Sequence, residues 1–142
     1  MYNETTEYRI NILEEYLRNN HFRMTKQRMD VCKTIFALKE YVTINEIFNK
    51  LKQKKINSSK STLYRITSLL CDAHILYRII LDDGIVRYKQ ISKNKYYDLI
   101  CKHCGKTIQL NSLSINKEYM TNQYGYKLEE PLDIFGLCPN CQ

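Results

Sequence analysis

Two cysteine pairs constrain this 142-residue chain more than any other feature: Cys101-Lys-His-Cys104 and Cys138-Pro-Asn-Cys141, with 33 residues between the pairs. A CxxC turn lets two thiolates grip one ion, and a second CxxC completes the closed four-sulfur shell that structural Zn²⁺ prefers. Such a site pins the first strand of a small C-terminal module to its last turn, closing a core that could not stand unaided. All four positions are protein sulfur, so the spacing points to one structural zinc per chain with no open position for catalysis. Gly105 follows the first knuckle, where a sulfur-facing backbone often needs positive φ.

Disulfides and a thioredoxin-like redox pair are the competing readings. A redox CxxC normally stands alone near a βαβ pattern, whereas here two matched pairs bracket one folded unit. Disulfides need an oxidising compartment. The segment Met1 to Ile10 is polar and lacks a basic run followed by an apolar one, which argues against secretion. No stretch approaches the roughly 18 apolar residues of a spanning helix. A cytoplasmic, reduced setting with no membrane partner is expected. Cys32 and Cys71 fall on predicted helices, Cys32 as a core residue and Cys71 near a helix end, where a redox role is the minor reading.

The 22 Lys+Arg against 15 Asp+Glu leave a net +7. The excess is local: Arg18 to Arg65 holds 12 basic residues against Asp30, Glu40 and Glu46. Such a concentration suggests a polyanionic partner, because every neutralised phosphate releases counterions. Charge alone describes a solvated basic face equally well, so the decision rests on motifs.

The first half reads as helices. Tyr8, Ile12, Leu13, Tyr16 and Leu17 recur at helical spacing and predict a helix ending near Asn19-Asn20. Thr25 is a candidate N-cap for a second helix, with Met29, Cys32 or Val31, Ile35 and Leu38 inside. Thr43-Ile-Asn-Glu46 fits a capping box opening a third helix to about Lys54, with Ile44, Ile47, Phe48 and Leu51 as its apolar stripe. Ser59 can cap a fourth, in which Leu63, Ile66, Leu69 and Leu70 face inward and Lys60, Ser61, Tyr64, Arg65 and Ser68 face out. Two β-type runs follow, Tyr77 to Leu81 and Ile85 to Ile91, joined by Asp82-Asp83-Gly84 as a hairpin turn.

Helices followed by a hairpin match a winged helix-turn-helix, with Lys60 to Asp72 as recognition helix and residues 77 to 91 as wing. Ser92 to Lys95 reads as a hinge. Beyond it the pattern predicts strands near Tyr97 to Cys101 and Thr107 to Leu110, a helix from about Ser112 to Asn122, and a strand near Tyr126 to Gly136. The expected class is α+β: a winged-helix module over residues 1–91 and a small α/β module over 92–142 carrying the four-cysteine site.

Phe22-Arg23-Met-Thr25-Lys26-Gln27-Arg28, then Ser61-Thr62-Leu63-Tyr64-Arg65 with Asp72-Ala73 and Ile75, then Asp98-Leu99-Ile100-Cys101 through Lys106, and finally Gly136-Leu-Cys138-Pro-Asn-Cys141 resemble the ferric uptake regulator (Fur) family. Order and spacing hold over about residues 8 to 142. The resemblance implies a homodimeric bacterial repressor that binds an AT-rich inverted repeat in double-stranded DNA, a C-terminal dimerisation domain, and structural zinc in the two CxxC pairs. The candidate DNA contacts are Arg23, Lys26, Gln27, Arg28, Lys60, Ser61, Thr62, Tyr64 and Arg65.

The sequence departs from the family where regulatory metal is bound. The His-rich run before Leu-Ile-Cys is Lys95-Tyr96-Tyr97-Asp98; Tyr41 matches the ligand histidine before the third helix, Lys89 the wing glutamate, Asn116 the glutamate of the C-terminal helix and Glu130 the late histidine. Asp98 and Glu130 alone retain a ligand type there, and two isolated carboxylates make a poor transition-metal site. A degenerate sensor is therefore expected.

His21, His74 and His103 are too scattered for a catalytic site, and no Gly-rich phosphate loop or Ser/His/Asp order occurs. An enzyme is not expected. The alternatives are a regulator answering a redox or small-molecule signal, and a zinc-stabilised interaction protein without operator binding.

Overall fold

The computed structural model describes residues 6–91, 96–111, 116–128 and 133–142. Its elements run α1 (Thr6–Asn19), α2 (Lys26–Ala37), α3 (Ile44–Gln53), α4 (Lys60–Asp72), β1 (Leu76–Ile80), β2 (Val86–Gln90), β3 (Tyr96–Cys101), β4 (Thr107–Asn111), α5 (Lys117–Tyr124) and β5 (Asp133–Gly136). This is a mixed helix and sheet fold. The chain forms two compact units: one gathers the residues up to Ile80 with Ile85–Ile91, the other Leu81–Gly84 with the residues after Ile91. The hairpin turn, grouped by sequence with the first module, thus belongs to the second unit.

In the first unit, local hydrogen bonds set where helices begin. Thr25 Oγ1 accepts the Arg28 amide at 3.1 Å and Ser59 Oγ the Thr62 amide at 3.1 Å. The Thr43–Glu46 capping box makes both bonds, at 3.1 and 2.8 Å. Helix ends are set differently. After α1, α3 and α4 the chain turns left-handed at His21, Lys55 and His74, with φ of 59°, 57° and 57°. The next amide reaches back five residues in each case, Phe22 to Leu17, Ile56 to Leu51 and Ile75 to Leu70, at 2.8, 3.0 and 2.9 Å. These are Schellman caps without glycine.

The helices bury one core containing Leu13, Leu17, Val31, Cys32, Ile35, Ile47, Leu51, Leu63 and Leu70. Phe48 and Leu69, expected inside, are only half-buried, and Thr67 fills the inner face of α4 instead. Its hydroxyl donates to the Leu63 carbonyl at 2.9 Å, which makes its burial tolerable. β1 and β2 pair antiparallel from Leu76↔Gln90 to Ile80↔Val86. Val42 and Tyr88 exchange backbone hydrogen bonds at 2.9 and 2.8 Å, tying the α2–α3 connection to the hairpin. The Gln90 side-chain amide donates to the carbonyls of Ile35, Phe36 and Leu38 and so satisfies the open end of α2.

The second unit is a three-stranded sheet of order β4-β3-β5. β3 is antiparallel to β4 and parallel to β5, with Cys101 opposite Gly136. The turn Leu81–Gly84 closes with a Gly84 amide to Leu81 carbonyl bond of 2.9 Å, Gly84 taking φ +74°. Helix α5 begins at Lys117, capped by Asn116; the expected start at Ser112 and the hinge Ser92–Lys95 lie outside the described residues. The expected last strand is shorter than Tyr126–Gly136. Tyr126 is not in a strand because its carbonyl accepts the Thr121 hydroxyl at 3.0 Å, folding the chain back on α5, and pairing covers Asp133–Gly136.

Candidate metal centre and nucleic-acid interface

The cysteines converge because of strand pairing. β3 ends at Cys101 and β5 ends opposite it at Gly136, so Cys138 emerges two residues beyond the end of a parallel neighbour. The Lys102 amide donates to the Gly136 carbonyl at 3.0 Å and locks the two ends together. The first knuckle is shaped by Gly105, whose amide reaches the Cys101 carbonyl at 2.8 Å with φ +79°. A Cβ there would also come within 3.1 Å of Leu81 Cδ1, so space as well as backbone angle favours glycine. The second knuckle closes through the Cys141 amide and the Cys138 carbonyl at 2.9 Å.

The four Sγ atoms of Cys101, Cys104, Cys138 and Cys141 lie within 4.8 Å of one another. Cys104 Sγ and Cys138 Sγ are 3.8 Å apart. A tetrahedral ion with Zn–S bonds of about 2.3 Å requires sulfur–sulfur edges of about 3.8 Å. All six cysteines are free thiols. Backbone amides of Cys104 and Cys138, and then of His103, stabilise the Cys101 thiolate and hold this thiol well below its ordinary value. Cys141, facing Cys138 and then crowded by burial and the other sulfurs, is pushed well above it. One stabilised thiolate, at Cys101, beside one reluctant thiol, at Cys141, belongs to a donor set that a cation completes by displacing protons. The cluster could hold zinc, and among the described residues it is the one group of three or more His, Cys, Asp or Glu side chains able to hold a metal ion. His103 is not one of the group: its Nδ1 lies 4.0 Å from Asp82 Oδ2.

The predicted outward face of α4 is outward: Lys60, Ser61, Tyr64, Arg65 and Ser68 are exposed, Tyr64 at 54%. Thr62 is half-buried and its hydroxyl sits 2.9 Å from Ser59 Oγ, within the helix cap. Arg23 and Lys26 are exposed at the start of α2. Arg28 instead turns its guanidinium onto the Arg23 carbonyl, and Gln27 donates to the Asn57 carbonyl at 3.3 Å, bracing the connection into α4.

Two of the positions at which the family resemblance implies metal ligands, Tyr41 and Lys89, meet in the first unit. Tyr41 and Tyr77 share a hydroxyl–hydroxyl hydrogen bond of 2.7 Å, and Lys89 Nζ stands 4.7 Å from the Tyr41 ring centroid. Tyr77 carried no sequence signal; only its place opposite Lys89 in the hairpin register brings it here. In the second unit Tyr97 and Asp98 are buried, and Lys117 Nζ lies 5.8 Å from the Tyr97 ring centroid. Asn116 is committed to capping, its Oδ1 accepting the Tyr119 amide at 2.8 Å. Lys95, Glu130 and the Tyr96 side chain lie outside the described residues.

Comparison with known proteins agrees with this architecture. The sequence pattern of the ferric uptake regulator family matches residues 19–131. The ferric uptake regulation protein of Campylobacter upsaliensis is 29% identical over 97% of this chain and 93% of its own length. The peroxide-responsive repressor PerR of Staphylococcus saprophyticus is 28% identical over 98% of this chain and 95% of its own. The solved structure of the Helicobacter pylori ferric uptake regulator Fur, described as revealing three functional metal binding sites, superposes with a TM-score of 0.78 at 27% identity, covering 100% of this chain and 97% of that one. With the motifs, the fold and the sequence match in agreement, the chain belongs to the ferric uptake regulator family.

Proposed function

We propose that this chain is a sequence-specific transcriptional repressor that binds an AT-rich inverted repeat in double-stranded DNA as a homodimer in the cytoplasm, and not an enzyme. Residues 1–91, apart from the turn Leu81–Gly84, form the DNA-binding part and 92–142 the dimerising part. The observation that carries the reading is the exposed ridge of Ser61, Tyr64 and Arg65 on a capped helix, inside a segment with 12 basic and 3 acidic residues. Tyr64 would meet thymine methyls and Arg65 a guanine edge or phosphate, while Arg23, Lys26 and Lys60 neutralise phosphates. Gln27, Arg28 and Thr62 support the same surface mainly by bracing it, which fits their hydrogen bonds. Dimerisation is supported by exposed apolar side chains of the second unit, Ile108, Phe135 and Leu137 among them.

The zinc in this reading is structural, one ion per chain, held by Cys101, Cys104, Cys138 and Cys141. Bound there it would supply cross-linking free energy and no reactive position. Two of the sensor positions, in contrast, hold a tyrosine, Tyr41, hydrogen-bonded to Tyr77, and an ammonium, Lys89, in place of a histidine and a glutamate ligand. Regulation by a divalent metal is therefore degenerate in this chain. Burial raises the Cys71 thiol, with Arg78 opposing, which counts against a redox signal at that residue. The test is fluorescence anisotropy on a palindromic AT-rich duplex and a scrambled one across a salt series, beside zinc content per chain. Selective, salt-sensitive binding by the zinc-loaded protein supports the reading; equal affinity for the two duplexes sinks sequence specificity.

A further inference from the structure

From Ile47 to Cys71 the chain carries Lys50, Lys52, Lys54, Lys55, Lys60 and Arg65 and not one carboxylate. All of these residues are exposed. Two are not independent of each other. Lys52, in the last turn of α3, holds its Nζ 4.7 Å from the Phe48 ring centroid, and Lys60, the first residue of α4, holds its Nζ 5.4 Å from the same centroid. Phe48 is half-buried against the core and so presents a fixed ring. Among the described residues neither ammonium has an ion pair with a carboxylate.

One aromatic ring therefore has two like charges beside it, one from each helix of the helix-turn-helix. Each ammonium is attracted to the ring, but together they repel, and no carboxylate of this segment relieves that repulsion. A phosphate diester would. Cations already held in place bind an anion with less loss of side-chain freedom than cations on free stems. The first helix of a helix-turn-helix crosses the DNA backbone while the second enters the groove, and Lys52 and Lys60 stand at the junction of those two helices.

We propose that Phe48, Lys52 and Lys60 form a phosphate clamp for the DNA backbone, with Lys52 and Lys60 as the contacts and Phe48 as their positioning residue. The proposal rests on the DNA-binding reading above and adds Lys52 and Phe48 to the interface. The clamp reads no sequence. It sets register and affinity for all duplexes alike.

The experiment measures anisotropy of the full-length zinc-loaded protein on the AT-rich palindrome and a scrambled duplex of the same length, at several salt concentrations. Lys52→Ala should weaken both duplexes alike by about threefold to tenfold and reduce the salt slope by about one. Phe48→Leu keeps apolar bulk but removes the ring; it should weaken both by about twofold to fivefold, with an unchanged melting temperature. In the Lys52→Ala background Phe48→Leu should cost less than it does alone, which a purely structural Phe48 would not do. Lys52→Arg should restore binding. If Lys52→Ala leaves affinity and slope unchanged while Tyr64→Ala still removes preference for the palindrome, the clamp is wrong and the DNA reading stands. If the wild type shows no salt-dependent binding to either duplex, both fall together.

Discussion

The hydroxyls of Tyr41 and Tyr77 lie 2.7 Å apart with their rings edge to face, centroids 6.0 Å apart, and the Lys89 ammonium stands over the Tyr41 ring. Tyr41 and Lys89 are two of the positions at which the family resemblance implies metal ligands. The proposed loss of metal regulation rests on this arrangement: the ammonium opposes a divalent cation by like charge, and a phenol already hydrogen-bonded to a phenol is a poorer ligand than imidazole.

Operator affinity of the zinc-loaded protein should accordingly stay constant when Fe²⁺ or Mn²⁺ is added. Anisotropy titrations with and without each ion under anaerobic conditions check this. A tenfold gain in affinity with either ion would show a working sensor elsewhere in the chain.

Tyr64→Ala should weaken binding to the palindrome by about 1 to 3 kcal/mol and leave the thermal midpoint unchanged, because the side chain is exposed. Comparing palindrome with scrambled duplex separates base reading from backbone attraction. Unaltered preference for the palindrome would remove Tyr64 from the base-reading face.

On the proposed structural-zinc reading, Cys138→Ser takes one ligand from the four-sulfur cluster, and the lost binding energy would be lost folding energy of the second unit. The variant should contain far less than one zinc per chain, run as a monomer in sedimentation, and lose sheet signal. A zinc-free variant that stays dimeric and folded would show that the sheet stands without the ion.

Cys32 lies at the centre of the first core, where burial, partly offset by Arg28, raises its thiol from 9.0 to about 12. The folded state keeps this proton where the unfolded chain releases it. Its contribution is therefore fully present below pH 9.0 and lost as pH rises towards about 12, at no more than about 1.4 kcal/mol per pH unit. Urea unfolding of wild type and Cys32→Ala across that window should show a shallower alkaline loss in the variant, whatever its baseline. Parallel curves would contradict the assignment.

His74 closes α4 in a left-handed conformation with φ 57°. An L-residue there costs about 1 to 2 kcal/mol, whereas glycine costs about 0.5 to 1 kcal/mol in chain entropy. His74→Gly should raise stability by about 0.5 to 1 kcal/mol, read as a higher urea midpoint at unchanged slope. A lower midpoint would mean that the imidazole contributes more than the backbone strain it carries.

What the chain specifies locally was readable from residue order alone. Thr25, Thr43 with Glu46, and Ser59 mark helix starts because each cap joins groups three residues apart. The apolar stripes follow from the helical period, and each CxxC pairs its sulfurs within one turn. Tertiary structure decided the rest. That Cys101 meets Cys138 depends on a parallel pairing of β3 with β5, which residue spacing does not encode. Tyr77 joins Tyr41, and Lys89 stands over Tyr41, because of the hairpin register and its bridge to Val42. Phe48 was expected inside, yet it keeps an exposed part and holds two lysines, since its ring lies where α3 gives way to α4. Hydrogen bonds between near neighbours survive any arrangement of the helices. Contacts between distant residues exist only once packing has chosen one.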